Sequence, residues 1–233
     1  MSEIVERVEE RKNQMADKLR VGLESKPLSR MLRRDTWPDH ERAQFGPFEL
    51  ALAGGTISSA AYRDLLAQVL PVYLALEERG EELKDDPIGS NVYLPEVLRA
   101  KAIEADLDFF WPTWRIESKM LPVTQEYVAR VRNATPVQFV AHHYNRYMAD
   151  LSGGLMIAGA LRNTWKLNGD GLRYYEFPEI DDPNTWKDAY RAMLDSLPLD
   201  IDGKLDLIGE VMLAYEFNIE MTENLAATYL QPA

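Results

Sequence analysis

Along almost the whole chain, apolar residues recur three and four positions apart, and alternation of the strand type is nowhere sustained. That regularity confines the chain to an all-α fold, because an element can bury one face only when its apolar period matches its backbone period. Ile4, Val8, Met15, Leu19 and Leu23 stand at helical spacing among Glu, Arg and Lys, until Ser25-Lys-Pro27 interrupts them. A second stretch runs from Leu28 towards Gln44, where Pro38, lacking a backbone donor, predicts either a kink or a restart at Thr36. Gly54-Gly55 closes a short segment, and Ser58 or Ser59 is placed to cap a long helix with Leu66, Leu70, Tyr73 and Leu76 on one face. Its end lies in the charged run Glu77 to Lys84. Helical spacing returns over Leu94 to Phe110 and Val123 to Val131, and Thr135-Pro136 opens a helix carrying His142 through Trp165. After an irregular region, Asn184 to Ser196 and Lys204 to Tyr229 bring the total to about eight helices.

A length of 233 residues with 46% hydrophobic side chains suits one core, and no shift in composition divides it. Residues 1–25 read as an additional N-terminal helix ahead of a domain spanning 26–233. With 26 basic against 38 acidic side chains, the formal charge of −12 disfavours nucleic acid and anionic membrane surfaces. No apolar run approaches the length of a bilayer span, and the amino terminus lacks the character of a signal peptide, so a cytoplasmic location is expected. The absence of cysteine removes disulfides, thiolate metal sites and thiol nucleophiles. Three histidines are too few for a His-rich metal site, and no Glu-x-x-His pair occurs that would suit a carboxylate di-iron bundle.

Chemistry concentrates between Ala141 and Ala160, where Gly153-Gly154 sits inside apolar helical runs instead of at an end. Each glycine inside a helix costs about 1 kcal/mol relative to alanine, which predicts something approaching the backbone where a Cβ would clash. A flat macrocycle would need that clearance; close helix packing or a loop between two helices is the plainer alternative. Asp150 lies three residues earlier, with Met148, Leu151, Leu155 and Met156 as an apolar neighbourhood. A buried acid must be paired or hydrated: it either holds water over a ligand or pairs with Arg146 one turn away. His40 is a competent axial ligand for a heme iron, although a lone histidine also serves as an ordinary surface or core residue. His142 and His143 are adjacent, point to different faces, and cannot clamp one metal together; one of them is expected to be structural.

Several separated segments together resemble the biliverdin-producing heme (haem) oxygenases, from about Leu32 to about Leu225. They are Arg146-Tyr-Met-Ala-Asp-Leu-Ser-Gly-Gly154, Leu32-Arg-Arg-Asp-Thr-Trp-Pro-Asp-His40, Tyr73-Leu-Ala-Leu-Glu-Glu78, Val92-Tyr-Leu-Pro-Glu-Val-Leu98, Phe177-Pro and Trp186-Lys-Asp-Ala-Tyr-Arg191. The resemblance implies a single-domain helical bundle with heme between a proximal and a kinked distal helix. It implies that His40 binds the iron, and that Asp150, Gly153, Gly154 and Arg146 form the catalytic set, the aspartate ordering water beside bound dioxygen. Heme contacts are implied for Arg33, Tyr73, Tyr144, Ala149, Lys187, Arg191 and Asn218, with Arg33, Lys187 and Arg191 near the propionates; ordinary solvated charge is the alternative for these three.

Departures from the family pattern accompany the likeness. Ala149 stands where most relatives have glycine, and its methyl bears on the distal pocket and the bend. Gln44 replaces a common glutamate near the proximal histidine, which predicts a different hydrogen bond to the imidazole. Pro38 bears on the proximal helix, the N-terminal helix is extra, and no hydrophobic C-terminal tail is seen.

The implied reaction is oxidative cleavage of heme by O2 and external electrons to biliverdin, expected to be the IXα isomer, with carbon monoxide and ferrous iron. No Gly-x-Gly-x-x-Gly turn follows a strand, so the electron donor is expected to be a separate ferredoxin or flavoprotein reductase, docking at a local basic patch. A monomer or weak homo-oligomer is expected. The alternatives are a non-catalytic heme carrier with the same pocket, in which Ala149 suppresses turnover, and a helical relative acting on another small molecule without ligation by His40.

Overall fold

The structure is a computed structural model that describes residues 2–19 and 26–230; Leu23 and Ser25 lie outside the described residues. It is all-α, with no strand among the described residues. In chain order the helices are α1 (Glu3–Leu19), α2 (Leu28–Asp35), α3 (Trp37–Gln44), α4 (Pro47–Ala53), α5 (Ser59–Glu82), α6 (Ala100–Phe110), α7 (Trp114–Glu117), α8 (Pro122–Arg132), α9 (Pro136–Ala149), α10 (Leu155–Trp165), α11 (Pro183–Ser196) and α12 (Ile201–Tyr229). The twelve among the described residues exceed the eight of the sequence reading because the long periodic runs are broken and short segments form turns of their own.

The breaks have local causes. Proline at position 38 cannot donate to the carbonyl four residues back, so the stretch from Leu28 stops at Asp35 and restarts after Thr36, with Pro38 in the first turn of α3. The Thr36 hydroxyl turns back to the Leu32 carbonyl at 2.8 Å. Ser58 caps α5, accepting from the Ala61 N–H at 3.2 Å. At the start of α9, Thr135 and Gln138 form a capping box: Thr135 Oγ1 accepts from Gln138 N at 3.3 Å and Gln138 Oε1 from Thr135 N at 3.0 Å.

Two long helices organise the packing. The 24-residue α5 buries Leu66, Leu70, Tyr73 and Leu76 together and lies against α6 and α8. The 29-residue α12 packs against α9, α1 and α3, with Leu207, Ile208, Val211 and Phe217 fully enclosed. Ile4 and Val8 of α1 are part of this same core. Asp195 of α11 accepts from the backbone N–H and hydroxyl of Ser29, at 2.7 and 2.9 Å, which ties α2 to α11. A slot is left where α2 and α3 face α9, with α12 behind and α11 at one edge.

Candidate functional site

The slot is a cavity of about 540 Å³, within the usual size of small-molecule sites. On one wall, Trp37 and His40 stack at 5.0 Å between ring centroids, and Tyr215 of α12 meets the His40 ring edge-on at 6.2 Å. Burial lowers the His40 pKa, against a smaller upward pull from Glu41, so the imidazole is neutral at pH 7 and able to ligate a metal. Its Nδ1 is buried without a hydrogen-bond partner, whereas Nε2 is not sealed off. The hydrogen bond expected from the Gln44 substitution is therefore absent among the described residues, and Gln44 is exposed.

The facing wall is α9. Tyr144, Asn145, Met148, Ala149 and Ser152 line the cavity at spacings of one and three residues, which is one face of a helix. Beyond Ala149 the backbone widens into a single π turn, Asp150–Gly154, before α10 resumes the α-helix. The Ser152 hydroxyl bonds the Met148 carbonyl at 2.6 Å. The predicted bend thus exists as a π-bulge, a form that appears mostly as an isolated turn inside α-helices and often at functional sites.

The two glycines within it differ. A Cβ on Gly154 would lie 2.7 Å from the Tyr175 ring, so this position serves close packing, the plainer of the two alternatives. A Cβ on Gly153 would meet nothing within 4 Å, so nothing in the protein accounts for the lost helix propensity there.

Asp150 is buried, yet its surroundings differ from the apolar set read from the sequence. Leu155 is 56% and Met156 64% exposed; the π turn and the direction of α10 carry them to the surface. Asp150 instead meets two tyrosines. The Tyr73 hydroxyl donates to Oδ2, and the Tyr174 hydroxyl donates to Oδ1 at 2.9 Å. Both hydroxyl oxygens accept from Arg146, Tyr73 from Nε at 3.2 Å and Tyr174 from Nη2 at 2.8 Å. Arg146 Nη1 reaches Asn218 Oδ1 at 2.7 Å, and Asn218 Nδ2 donates to Asn145 Oδ1 at 2.8 Å, on the cavity wall.

The carboxylate and guanidinium are joined through two hydroxyls in place of the direct pair considered from spacing, and the two hydroxyl oxygens stand 3.0 Å apart. Burial pushes the Asp150 carboxyl upward, while Arg146 and the two tyrosines oppose that shift. Tyr174 was missed by the sequence reading because it sits in a single 3-10 turn, Arg173–Tyr175, too short to show a period. It is held there by Asp106 of α6, which accepts from the backbone N–H groups of Arg173 and Tyr174 at 2.9 and 2.8 Å.

Cations mark one edge. Arg33 and Arg191 line the cavity, and Arg30, one turn before Arg33, joins them. Arg30 and Arg33 have no ion-pair partner among the described residues, whereas Arg191 contacts Asp188 at 2.6 Å. Lys187 stands one turn before Arg191 on α11, outside the cavity wall itself. The i, i+3 spacing of Arg30 and Arg33 could have flagged the former from sequence. His142 and His143 are both enclosed away from the cavity, so both are structural where one was expected to be. His142 Nε2 lies 2.8 Å from Glu210, and His143 Nδ1 lies 2.8 Å from the Tyr190 hydroxyl. Burial takes the His143 pKa down to about 3.

Among the described residues no helix is long and apolar enough to cross a membrane. Comparison with known proteins agrees with this architecture. The chain is 34% identical to heme oxygenase 1 of Synechocystis over 88% of this chain and 87% of the relative, and 35% identical to heme oxygenase 1 of Rattus norvegicus over 87% and 73%. The crystal structure of the Synechocystis enzyme in complex with heme superposes with a TM-score of 0.83, covering 87% of this chain and 94% of that one. Heme oxygenase from Leptospira interrogans, 32% identical, gives 0.80 over 85% and 100%. The model of the family described as heme oxygenase matches residues 26–224, which takes in both walls of the cavity and the tyrosine network behind it. With fold and sequence in agreement along that length, the chain belongs to the heme oxygenase family.

Proposed function

We propose that this protein is a heme oxygenase that holds heme in the slot between α3 and α9, with His40 Nε2 as the iron ligand. The reading rests on one observation: a neutral histidine and an open-backed π turn face each other across a cavity of about 540 Å³ with unpaired arginines at its edge. The lining fits the group. Trp37, Tyr144, Met148 and Tyr215 offer flat or apolar surface, Arg30, Arg33 and Arg191 suit two carboxylates at one edge, and Lys187 lies within a turn of them. Bound heme supplies the iron that activates dioxygen and the macrocycle that is consumed.

The protein's own part is positional and electrostatic. Trp37 and Tyr215 hold the His40 ring, and burial keeps it neutral. Asp150, fixed by Tyr73 and Tyr174 and balanced by Arg146, keeps a carboxylate behind the distal wall, where it orders water and relays protons. Asn218 carries the network to Asn145 at the cavity. The arginines at one edge orient the macrocycle, directing ring opening to the α position. The products are then biliverdin, carbon monoxide and ferrous iron. Electrons come from a separate ferredoxin or flavoprotein reductase, docking on the Arg30–Arg33 edge, which stands out on a chain of charge −12. An acidic chain without cysteine suits the cytoplasm, and nothing in the reaction requires more than a monomer.

The test is to add one equivalent of hemin to the protein and to His40→Ala and follow the visible spectrum in air with a ferredoxin reducing system. Loss of the Soret band into a biliverdin spectrum in the wild type, and not in the variant, is the expected result. Stable heme in the wild type refutes the oxygenase reading, and no binding refutes the site.

A further inference from the structure

Helix α1 lies outside residues 26–224, the part that matches the family, yet it is built into the support of His40. Asp39 and Glu216 are carboxylates only 0% and 3% exposed, enclosed on the side of α3 and α12 that faces α1. Each is the chain neighbour of a cavity residue, Asp39 of His40 and Glu216 of Tyr215, and those two rings touch. Successive helix residues point about 100° apart, so the rings face the slot while the carboxylates face away from it.

Arg11 of α1 bridges the two. Its Nη2 is 2.8 Å from both Asp39 oxygens, and its Nη1 is 3.1 Å from Glu216 Oε1. Arg7 adds a contact to Glu216 Oε2 at 3.3 Å. Arg42 of α3 also reaches Glu216, at 2.6 and 3.2 Å, but stands 3.6 Å from Asp39, so the two-oxygen grip on Asp39 comes from Arg11. A second, independent feature says that α12 is shaped for α1: a Cβ on Gly209 would lie 2.4 Å from Cδ of Lys12. Ile4 and Val8 are buried on the same side.

We infer that Arg11 is a positioning residue for the axial histidine, clamping α3 to α12 through Asp39 and Glu216 so that His40 and Tyr215 keep their places in the slot. A planar guanidinium suits this because its fork fixes direction as well as charge. The inference rests on His40 being the heme ligand.

The experiment uses the full chain loaded with heme and measures heme transfer to excess apomyoglobin, the ferric absorption spectrum and the iron–nitrogen stretching band of the reduced protein. Wild type and His40→Ala are compared first; if the spectrum does not depend on His40, the ligation reading fails before α1 is in question. Arg11→Gln is then expected to speed heme release about tenfold and to shift the stretching band, the size of effect usual for partners that orient a metal ligand. Val8→Ala, which loosens α1 packing without touching Asp39, is expected to lower the melting temperature and leave release and band unchanged. Arg11→Gln with wild-type release and band overturns the inference, and so do equal changes in release from Arg11→Gln and Val8→Ala. Should Arg11→Gln fail to fold, Arg11→Lys keeps the charge and loses the fork; faster release supports positioning, and wild-type release overturns it.

Discussion

Gly153→Ala separates a glycine kept for the fold from one kept for a ligand. The φ and ψ values flanking the π turn are right-handed, and an alanine Cβ at 153 meets no atom within 4 Å, so the methyl is accommodated without strain in the heme-free protein. Replacing a helical glycine by alanine gains about 1 kcal/mol, which for a domain of this size raises the melting temperature by roughly 2–4 °C. The same methyl enters the space that a macrocycle lying on the distal helix would occupy. Thermal unfolding without heme should therefore show stabilisation, while hemin titration shows weaker binding and the degradation assay a slower rate. Gly154→Ala is the internal contrast: its Cβ would stand 2.7 Å from the buried Tyr175 ring. Overpacking costs about 1–3 kcal/mol against the same gain of about 1, leaving a net loss of up to about 2 kcal/mol. A Gly153→Ala protein that is less stable without heme, or one that binds and degrades heme at wild-type levels, would refute the assignment of that glycine to the ligand.

Tyr174→Phe removes one of two hydroxyl donors to Asp150 and an acceptor for Arg146, at about 1.5–3 kcal/mol for a bond to a charged group; thermal unfolding should register the loss, and the pH profile of heme degradation should move upward as the Asp150 carboxyl rises further. Two buried carboxyls should titrate with opposite effect on stability. Burial pushes Asp106 up to about 6, above its unfolded value, so its ionisation weakens the native state, and wild type should lose up to about 3 kcal/mol relative to Asp106→Asn as pH rises from about 4 to 7. Glu210 is held down to about 2 by Arg130 and His142 despite its burial; its contribution is present above the unfolded value and is lost as pH falls towards 2, by roughly 3 kcal/mol relative to Glu210→Gln. Denaturant midpoints across pH for each pair measure both, and parallel curves for variant and wild type would contradict the assignments.

Local events were legible in the chain alone. Helical periodicity excluded a sheet, Pro38 ended one helix and began the next, Thr135 and Gln138 capped α9, and a glycine pair inside an apolar run announced the distorted turn. These follow from interactions within a few residues, which spacing and side-chain type already contain. The family likeness added the histidine and the aspartate to one site, although nothing in their spacing of 110 positions places them together. Tertiary structure decided the rest. It put Tyr174, from a turn too short to show a period, against Asp150; it turned Leu155 and Met156 outward; it gave Gly153 and Gly154 different neighbours; and it set Arg11 on Asp39 and Glu216. Each of these depends on the angle and offset at which separate helices pack, a property of pairs of elements that no single stretch of chain encodes.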